Sequence, residues 1–313
     1  MSTNATLATA IIPARNGERA HRLRLAFGYF LAIALILGLL IYGWDYYILD
    51  AASRPFSPKH GTLRPSSAIG IRLGFLGFGM FLAIFLYPLR KRWAWLARQG
   101  SSRHWLDIHV LLGLSAPFVI ALHSSFKFHG FAGIAFWIMV AVSLSGIIGR
   151  YLYGQIPRSL NTAELTLKEL QDTRAQLGRQ MSEQRLLKPA DLHALTNLPT
   201  AERVEHMFIV NALVHMMILD AVRVLRIAGL RRHALSFGET IFTLGGLFPT
   251  GHVELERAIG AAREEAAMAK RVLFLARSKQ VFHLWHVVHK PFSYSFALLA
   301  LIHIGVVFMM GFF

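Results

Sequence analysis

The 313-residue chain contains no cysteine. That excludes disulfides, covalent cofactor attachment through C-x-x-C-H and clusters held by thiolates. Charge is scarce as well: 16% of residues are charged, against about 25% in soluble domains. Acidic residues are the scarcer sign, with 17 Asp and Glu against 33 Lys and Arg and a net charge of +16. Such an excess in a soluble protein points to nucleic acid. Here no binding motif accompanies it, and the basic residues gather beside apolar runs, where topogenic charge accounts for them. No Gly-rich phosphate loop is present, since Gly245-Gly246 alone does not make one. A cleaved leader is not expected. The segment Met1 to Arg24 is polar and basic, but the apolar run after it is too long for a signal-peptide core and no A-x-A site follows.

What is abundant is apolar sequence, 54% of the chain. It is concentrated in five segments: Leu25 to Trp44, Ile69 to Leu89, Leu106 to Phe126, Phe131 to Tyr153 and Pro291 to Phe313. Each is close to the ~20 residues that cross a hydrocarbon core. The expected fold is therefore all-α, an integral membrane bundle of about five transmembrane helices. Basic residues orient it. Arg15, Arg19, Arg22 and Arg24 precede helix one, and Arg90, Lys91, Arg92, Arg98 and Arg103 lie between helices two and three. Arg150 and Arg158 follow helix four, and Arg271, Arg277 and Lys279 precede helix five. The other side has only Arg54, Lys59, Arg64, Arg72 and Lys127. The positive-inside rule then places the N-terminus in the cytoplasm and the C-terminus outside, and the expected location is the bacterial cytoplasmic membrane. The Pro-rich stretch around Pro55, Pro58 and Pro65 reads as an outer loop.

Residues 1–154 carry helices one to four, 155–280 form a helical cytoplasmic insertion, and 281–313 form helix five. In the insertion, Asn161 and Glu164 make a capping box, followed by the stripe Ala163, Leu167, Leu170, Leu177 and Met181. A second helix, His252 to Gln280, is expected to run on into helix five. The segment Met207 to Leu219 is apolar but short, with about 13 residues where a span needs about 20. It reads as a buried or interfacial helix, the alternative being a sixth span that would invert helix five.

Histidines inside hydrocarbon are costly and usually functional. Helix three carries His109 and His123, helix five His289 and His303, and each pair is fourteen residues apart. That spacing corresponds to ~21 Å of rise with both side chains within ~40° of one face. One histidine thus lies near each membrane surface on each helix. With one helix between them the two helices run parallel, so His109 pairs with His289 and His123 with His303. Two bis-imidazole sites stacked across the bilayer suit two non-covalent b haems. The face between the ligands is Gly113, Ala116 and Ile120 on helix three, and Ser293, Phe296 and Ala300 on helix five. Gly113 gives the macrocycle room, and Phe296 fills the space halfway between the ligands. Arg103, Lys290 and Arg150 are placed to neutralise propionates, a role that bilayer anchoring explains equally well. His104, His129, His283 and His286 lie at the membrane edges with solvated or propionate-contacting roles. Pro117 frees the carbonyl of Gly113.

The run Arg103-His104-Trp105 with His109 and His123, and Trp285-x-x-x-His289-Lys290 with Tyr294 and His303, resembles the haem domain of ferric reductase-like proteins and NADPH oxidases. In that family two His pairs on the third and fifth helices bind two b haems, with the N-terminus inside. The same spacing is similar to that of the cytochrome b subunit of quinol-oxidising complexes. The resemblance covers about a third of the chain, helices three to five. The sixth helix and the C-terminal flavin and NADPH domain of the oxidases are missing. The resemblance therefore implies one subunit of a larger electron-transfer system, exchanging electrons with quinone or with a cytochrome, iron–sulfur protein or flavoprotein partner. Two other readings compete. One is a transmembrane ferric or oxygen reductase fed by a separate flavoprotein, marked by an open pocket beside His123. The other is a transporter whose histidines relay protons, which would be colourless.

Overall fold

Hydrocarbon offers no hydrogen bonds, so a chain that crosses it must satisfy its backbone internally, and a long apolar run folds as a helix. The computed structural model describes residues 3–155, 198–234 and 243–311, and among these every regular element is helical. Five of the helices are long and apolar enough to cross a membrane. The capping box at Asn161 and Glu164, the stripe through Met181, Phe312 and Phe313 lie outside the described residues.

The chain divides into two compact units, residues 1–150 with 287–313, and residues 151–286. The first contains α1 (Thr3–Tyr42), α2 (Trp44–Tyr47), α3 (His60–Leu63), α4 (Ala68–Arg90), α5 (Ala94–Ala97), α6 (Ser102–His123) and most of α7 (Gly130–Gln155). The second contains α8 (Ala201–Glu205), α9 (Ile209–Ala234) and the first part of α10 (Val253–Met309), whose remainder belongs to the first unit. The expected helix at His252 to Gln280 does run unbroken into the fifth span, through Pro291. The apolar segment Met207 to Leu219 enters α9, which is not among the five candidate spans.

Helix boundaries follow local chemistry. The Ser67 and Ser101 hydroxyls accept from the Gly70 and His104 amides and so start α4 and α6. Helix α6 was expected to reach Phe126 but stops at His123. Ser125 and Phe126 adopt φ of 50° and 60°, and the Phe126 amide returns to the Ala121 carbonyl at 2.9 Å. This left-handed stop closes the carbonyls at the helix end. Helix α1, expected from Leu25, extends back through the basic segment, where its residues find polar partners on α6 (below).

The core of the first unit joins Leu73 and Met80 of α4, Ala116, Val119 and Leu122 of α6, and Phe136 and Met139 of α7, with Phe296 of α10 packed against them. Two glycines allow α4 and α6 to approach. A Cβ on Gly77 would lie 2.4 Å from Ile120 Cδ1, and one on Gly74 would lie 2.9 Å from His123 Cε1. Small residues at a helix crossing are how membrane helices gain packing without a hydrophobic driving force.

The stretch between α1 and α4 departs from the expected loop. It is built of α2, a 3-10 turn at Arg54–Phe56 and α3, around fully buried Tyr46 and Leu63. Its prolines start and stop short helical turns, and Arg54 locks the whole. That guanidinium is buried and donates to the carbonyls of Leu49 (3.0 Å), Tyr47 (3.0 Å) and Ser125 (2.5 Å). Ser125 in turn donates its hydroxyl to the Leu63 carbonyl at 2.6 Å. Asp50 accepts the Ser53 amide and hydroxyl, which hold its carboxyl below the usual carboxylate range.

The second unit is held by a buried ionic cluster. Asp220 of α9 accepts from Tyr151 (2.8 Å), from Arg223 (3.3 Å) and from buried Lys270 of α10. Near the start of α10, Arg231 forks onto Glu256 at 2.8 and 2.6 Å, and Glu256 also accepts the Thr250 amide. Gly245 and Gly246 have φ of 69° and 81°, so this pair serves the turn into α10.

Arg54→Ala strands three carbonyls that water does not readily reach. We expect a loss of about 3 kcal/mol, read as a lowered Tm in detergent, with Arg64→Ala, an exposed residue of the same segment, as the near-neutral control.

Candidate functional site

The four spanning histidines are all half-buried. His109 directs Nδ1 at the Ile84 carbonyl of α4, 3.0 Å away, and His123 directs Nδ1 at the Gly70 carbonyl of the same helix, 2.8 Å away. A carbonyl only accepts, so in both rings Nδ1 carries the proton and Nε2 keeps the lone pair. His289 meets the Ser145 hydroxyl of α7 at 2.7 Å, and that hydroxyl gives its own proton to the Val142 carbonyl at 2.8 Å. With its proton on Val142, Ser145 can accept from His289 Nδ1–H, the same ring state that the two carbonyls select in His109 and His123.

These acceptors exist for local reasons. Within α4, the Ile84 carbonyl would normally take the amide of residue 88, but that residue is Pro88 and has no N–H. The orphan carbonyl is the one His109 uses. Pro117 likewise releases the Gly113 carbonyl of α6, as its position in the sequence implies, and Ser143 of α7 donates to it at 2.8 Å. Gly74 gives the His123 ring its space, since any side chain there would strike Cε1.

Lys91 is an electrostatic neighbour of both His109 and Lys290, and His123 is one of His303. The His109 and His289 ends of α6 and α10 therefore coincide, as do the His123 and His303 ends, which is the parallel arrangement. Halfway between, Phe296 meets Phe81 of α4 edge-to-face at 5.9 Å. The expected face of Gly113, Ala116 and Ile120 does not look at α10 alone. Ile120 packs on Gly77, and both α6 histidines bond to α4, so α4 is a third wall of the site. A side chain at Gly113 would meet nothing within 4 Å, which agrees with free space on that face.

The remaining candidates fall at the edges. Arg103 pairs with Glu18 at 3.5 Å, Arg150 with Asp107 at 2.8 Å, and Lys290 is exposed. His104 donates toward Glu18 at 3.3 Å and stacks on His21, centroids 3.6 Å apart. His286 holds the Phe282 carbonyl at 3.0 Å, and His283 is exposed. His129 is one of the residues lining a largely apolar pocket of about 630 Å³, with Phe128, Ile134, Trp137, Ile138 and Phe292.

Sequence reasoning did not find Asp107, His21, Pro88, Ser143 or Ser145. Asp107 is 7% exposed and receives His21 at 3.2 Å and Arg150 at 2.8 Å, tying α1 and α7 to α6. It is the lone acid of α6, and an acid so near a span is a signal in itself. The two serines are the only hydroxyls in the apolar middle of α7, but a serine in a span has many uses, and its partner cannot be read from spacing.

Comparison with family models, curated proteins and solved structures finds no match to this chain. Among the described residues no group of three or more His, Cys, Asp or Glu is placed to hold a metal ion directly.

Asp107→Ala leaves His21 and Arg150 without their shared carboxylate. Because Arg150 is 35% exposed at its side chain, the cost should fall to about 2 kcal/mol, below the range for fully buried pairs. Thermal unfolding should show it, and Asp107→Glu should restore part of the loss.

Proposed function

We propose that this chain is a di-haem b-type cytochrome of the membrane, an electron-transfer subunit with one haem between His109 and His289 and the other between His123 and His303. The observation that carries the reading is the shared state of the imidazoles. Two of the four direct Nδ1 at a carbonyl, which can only accept, and a third meets a hydroxyl that can accept, the arrangement in which iron-ligating histidines are held with Nε2 as the basic nitrogen. A proton relay would need rings free to exchange both nitrogens, and a carbonyl-locked Nδ1–H does not exchange readily.

The donor set fits the group. Two imidazoles at each level, no thiolate in the chain, and an open face at Gly113 would suit a haem that takes two nitrogens from protein. When bound, the haems supply one-electron couples at the two depths. The protein's part is to aim and hold the rings. Backbone carbonyls of α4 orient His109 and His123, a hydroxyl of α7 orients His289, and Phe81 with Phe296 fills the apolar layer between the two levels. Lys91 and Lys290 gather positive charge at the His109 end, where propionates would find it.

The basic residues support an N-terminus in the cytoplasm, an orientation in which His123 and His303 would lie toward the outer side of a bacterial inner membrane. The pocket at His129 supports quinone over a ferric chelate as the exchange partner. Its lining is aromatic and aliphatic and opens among spanning helices, where a lipid-soluble ring system partitions and a hydrophilic chelate does not. Redox partner subunits, whether a cytochrome, an iron–sulfur protein or a flavoprotein, would complete the chain of transfer.

Pyridine haemochrome analysis of the purified protein should give two acid-extractable haems per chain. His289→Ala should remove one and leave the His123–His303 haem reducible by dithionite. A colourless protein would sink the proposal.

A reporter fused after Phe313 should be active only on the outer side. Cytoplasmic activity would reverse α10 and exchange the pairings to His109 with His303 and His123 with His289.

A further inference from the structure

Three of the spanning histidines have an oxygen at Nδ1, and the three oxygens differ in kind. His109 and His123 use backbone carbonyls of α4, which no substitution of the accepting residue's side chain can remove. His289 uses a side chain, Ser145 of α7, at 2.7 Å. Ser145 is half-buried, and its proton is committed to the Val142 carbonyl within its own helix at 2.8 Å. With that proton on Val142, a lone pair is left to accept from His289 Nδ1. Two residues earlier, Ser143 reaches the proline-freed Gly113 carbonyl of α6. Residues two apart on a helix are separated by about 200°, so the two hydroxyls leave opposite sides of α7. Helix α7 carries no iron-binding residue in the reading above, yet it grips both helices that do.

We propose that Ser145 is a positioning residue for His289: it selects the Nδ1–H tautomer, sets the angle of the ring, and raises the donor strength of Nε2 toward a haem iron. The inference rests on the di-haem reading and deepens it, because it assigns one residue to one of the two haems. An N–H that donates to oxygen gives its imidazole more anionic character, which favours ferric over ferrous iron. Removing the acceptor makes the haem of His109 and His289 easier to reduce and leaves the haem of His123 and His303 unchanged.

The test compares Ser145→Thr with Ser145→Val, side chains of one size with and without a hydroxyl, and adds Ser145→Ala should the valine variant fold poorly. Potentiometric titration of the purified haem-loaded proteins is the first readout. The oxidised-to-reduced ratio of one haem, at fixed ambient potential, should fall about tenfold in the valine or alanine variant. For a one-electron couple that is about 59 mV. The other haem should not move, and the threonine variant should titrate as the parent does. The second readout needs no haem: ¹⁵N shifts of labelled histidine in haem-depleted protein should assign the Nδ1–H form to His289 in the parent and threonine proteins, and a tautomer mixture in the valine variant. Two haems with unmoved couples and an unmoved tautomer would overturn the role of Ser145 alone. Equal shifts in the threonine and valine variants would do the same, by showing that packing is responsible. A parent without haem would overturn the di-haem reading, and the tuning of iron with it.

Discussion

A ring N–H placed in hydrocarbon must find an acceptor inside the protein, and in a bundle of helices nearly every backbone acceptor is already taken. That scarcity governs the arrangement described above. Pro88 withdraws an amide and leaves the Ile84 carbonyl for His109; Pro117 does the same at Gly113, and Ser143 supplies the donor. Prolines that would break a water-soluble helix are here sources of side-chain sockets. The helices that carry the histidines, α6 and α10, are each backed by one that carries none: α4 behind His109 and His123, α7 behind His289.

Close approach is the second half of the same constraint. For His123 to reach the Gly70 carbonyl, α4 must present no side chain at residue 74, and Gly74 meets that condition. Gly77 repeats it one turn on, against Ile120. Packing and polar satisfaction are therefore solved by one contact surface. The end of α6 shows the same economy. The left-handed stop at Ser125 and Phe126 exposes the Ser125 carbonyl to Arg54, so the termination of a histidine-bearing helix and the anchoring of the segment from α2 to α3 are a single event.

The two units solve the burial of charge differently. At the His109 end of the first, Asp107 is shared between His21 and Arg150, and Glu18 between His104 and Arg103. In the second, Asp220 gathers Tyr151, Arg223 and Lys270, and Glu256 holds Arg231 in a fork. In both, a basic-rich chain places acids where several donors meet, so one carboxylate can serve more than one cation, while buried Arg54 and Arg90 are held by carbonyls and a hydroxyl instead.

Read alone, the sequence determined the helical class, the five candidate spans, the run of α10 into the last of them, and the four histidines as matched pairs. These follow from run length, period and spacing, which are properties of consecutive residues and survive any packing. It also implied that Pro117 frees Gly113, because that bond lies within one helix. What it did not determine was what takes such a freed carbonyl, which face of α6 meets α4, or that Ser145 stands behind His289. The order inside the stretch from Trp44 to Leu63 was likewise out of reach, since prolines and short polar runs suit a loop until Arg54 is seen to tie three carbonyls together. Each of these depends on which residues far apart in the chain come within about 3 Å. Helix crossing decides that, and the periodicity of any one helix carries no record of it.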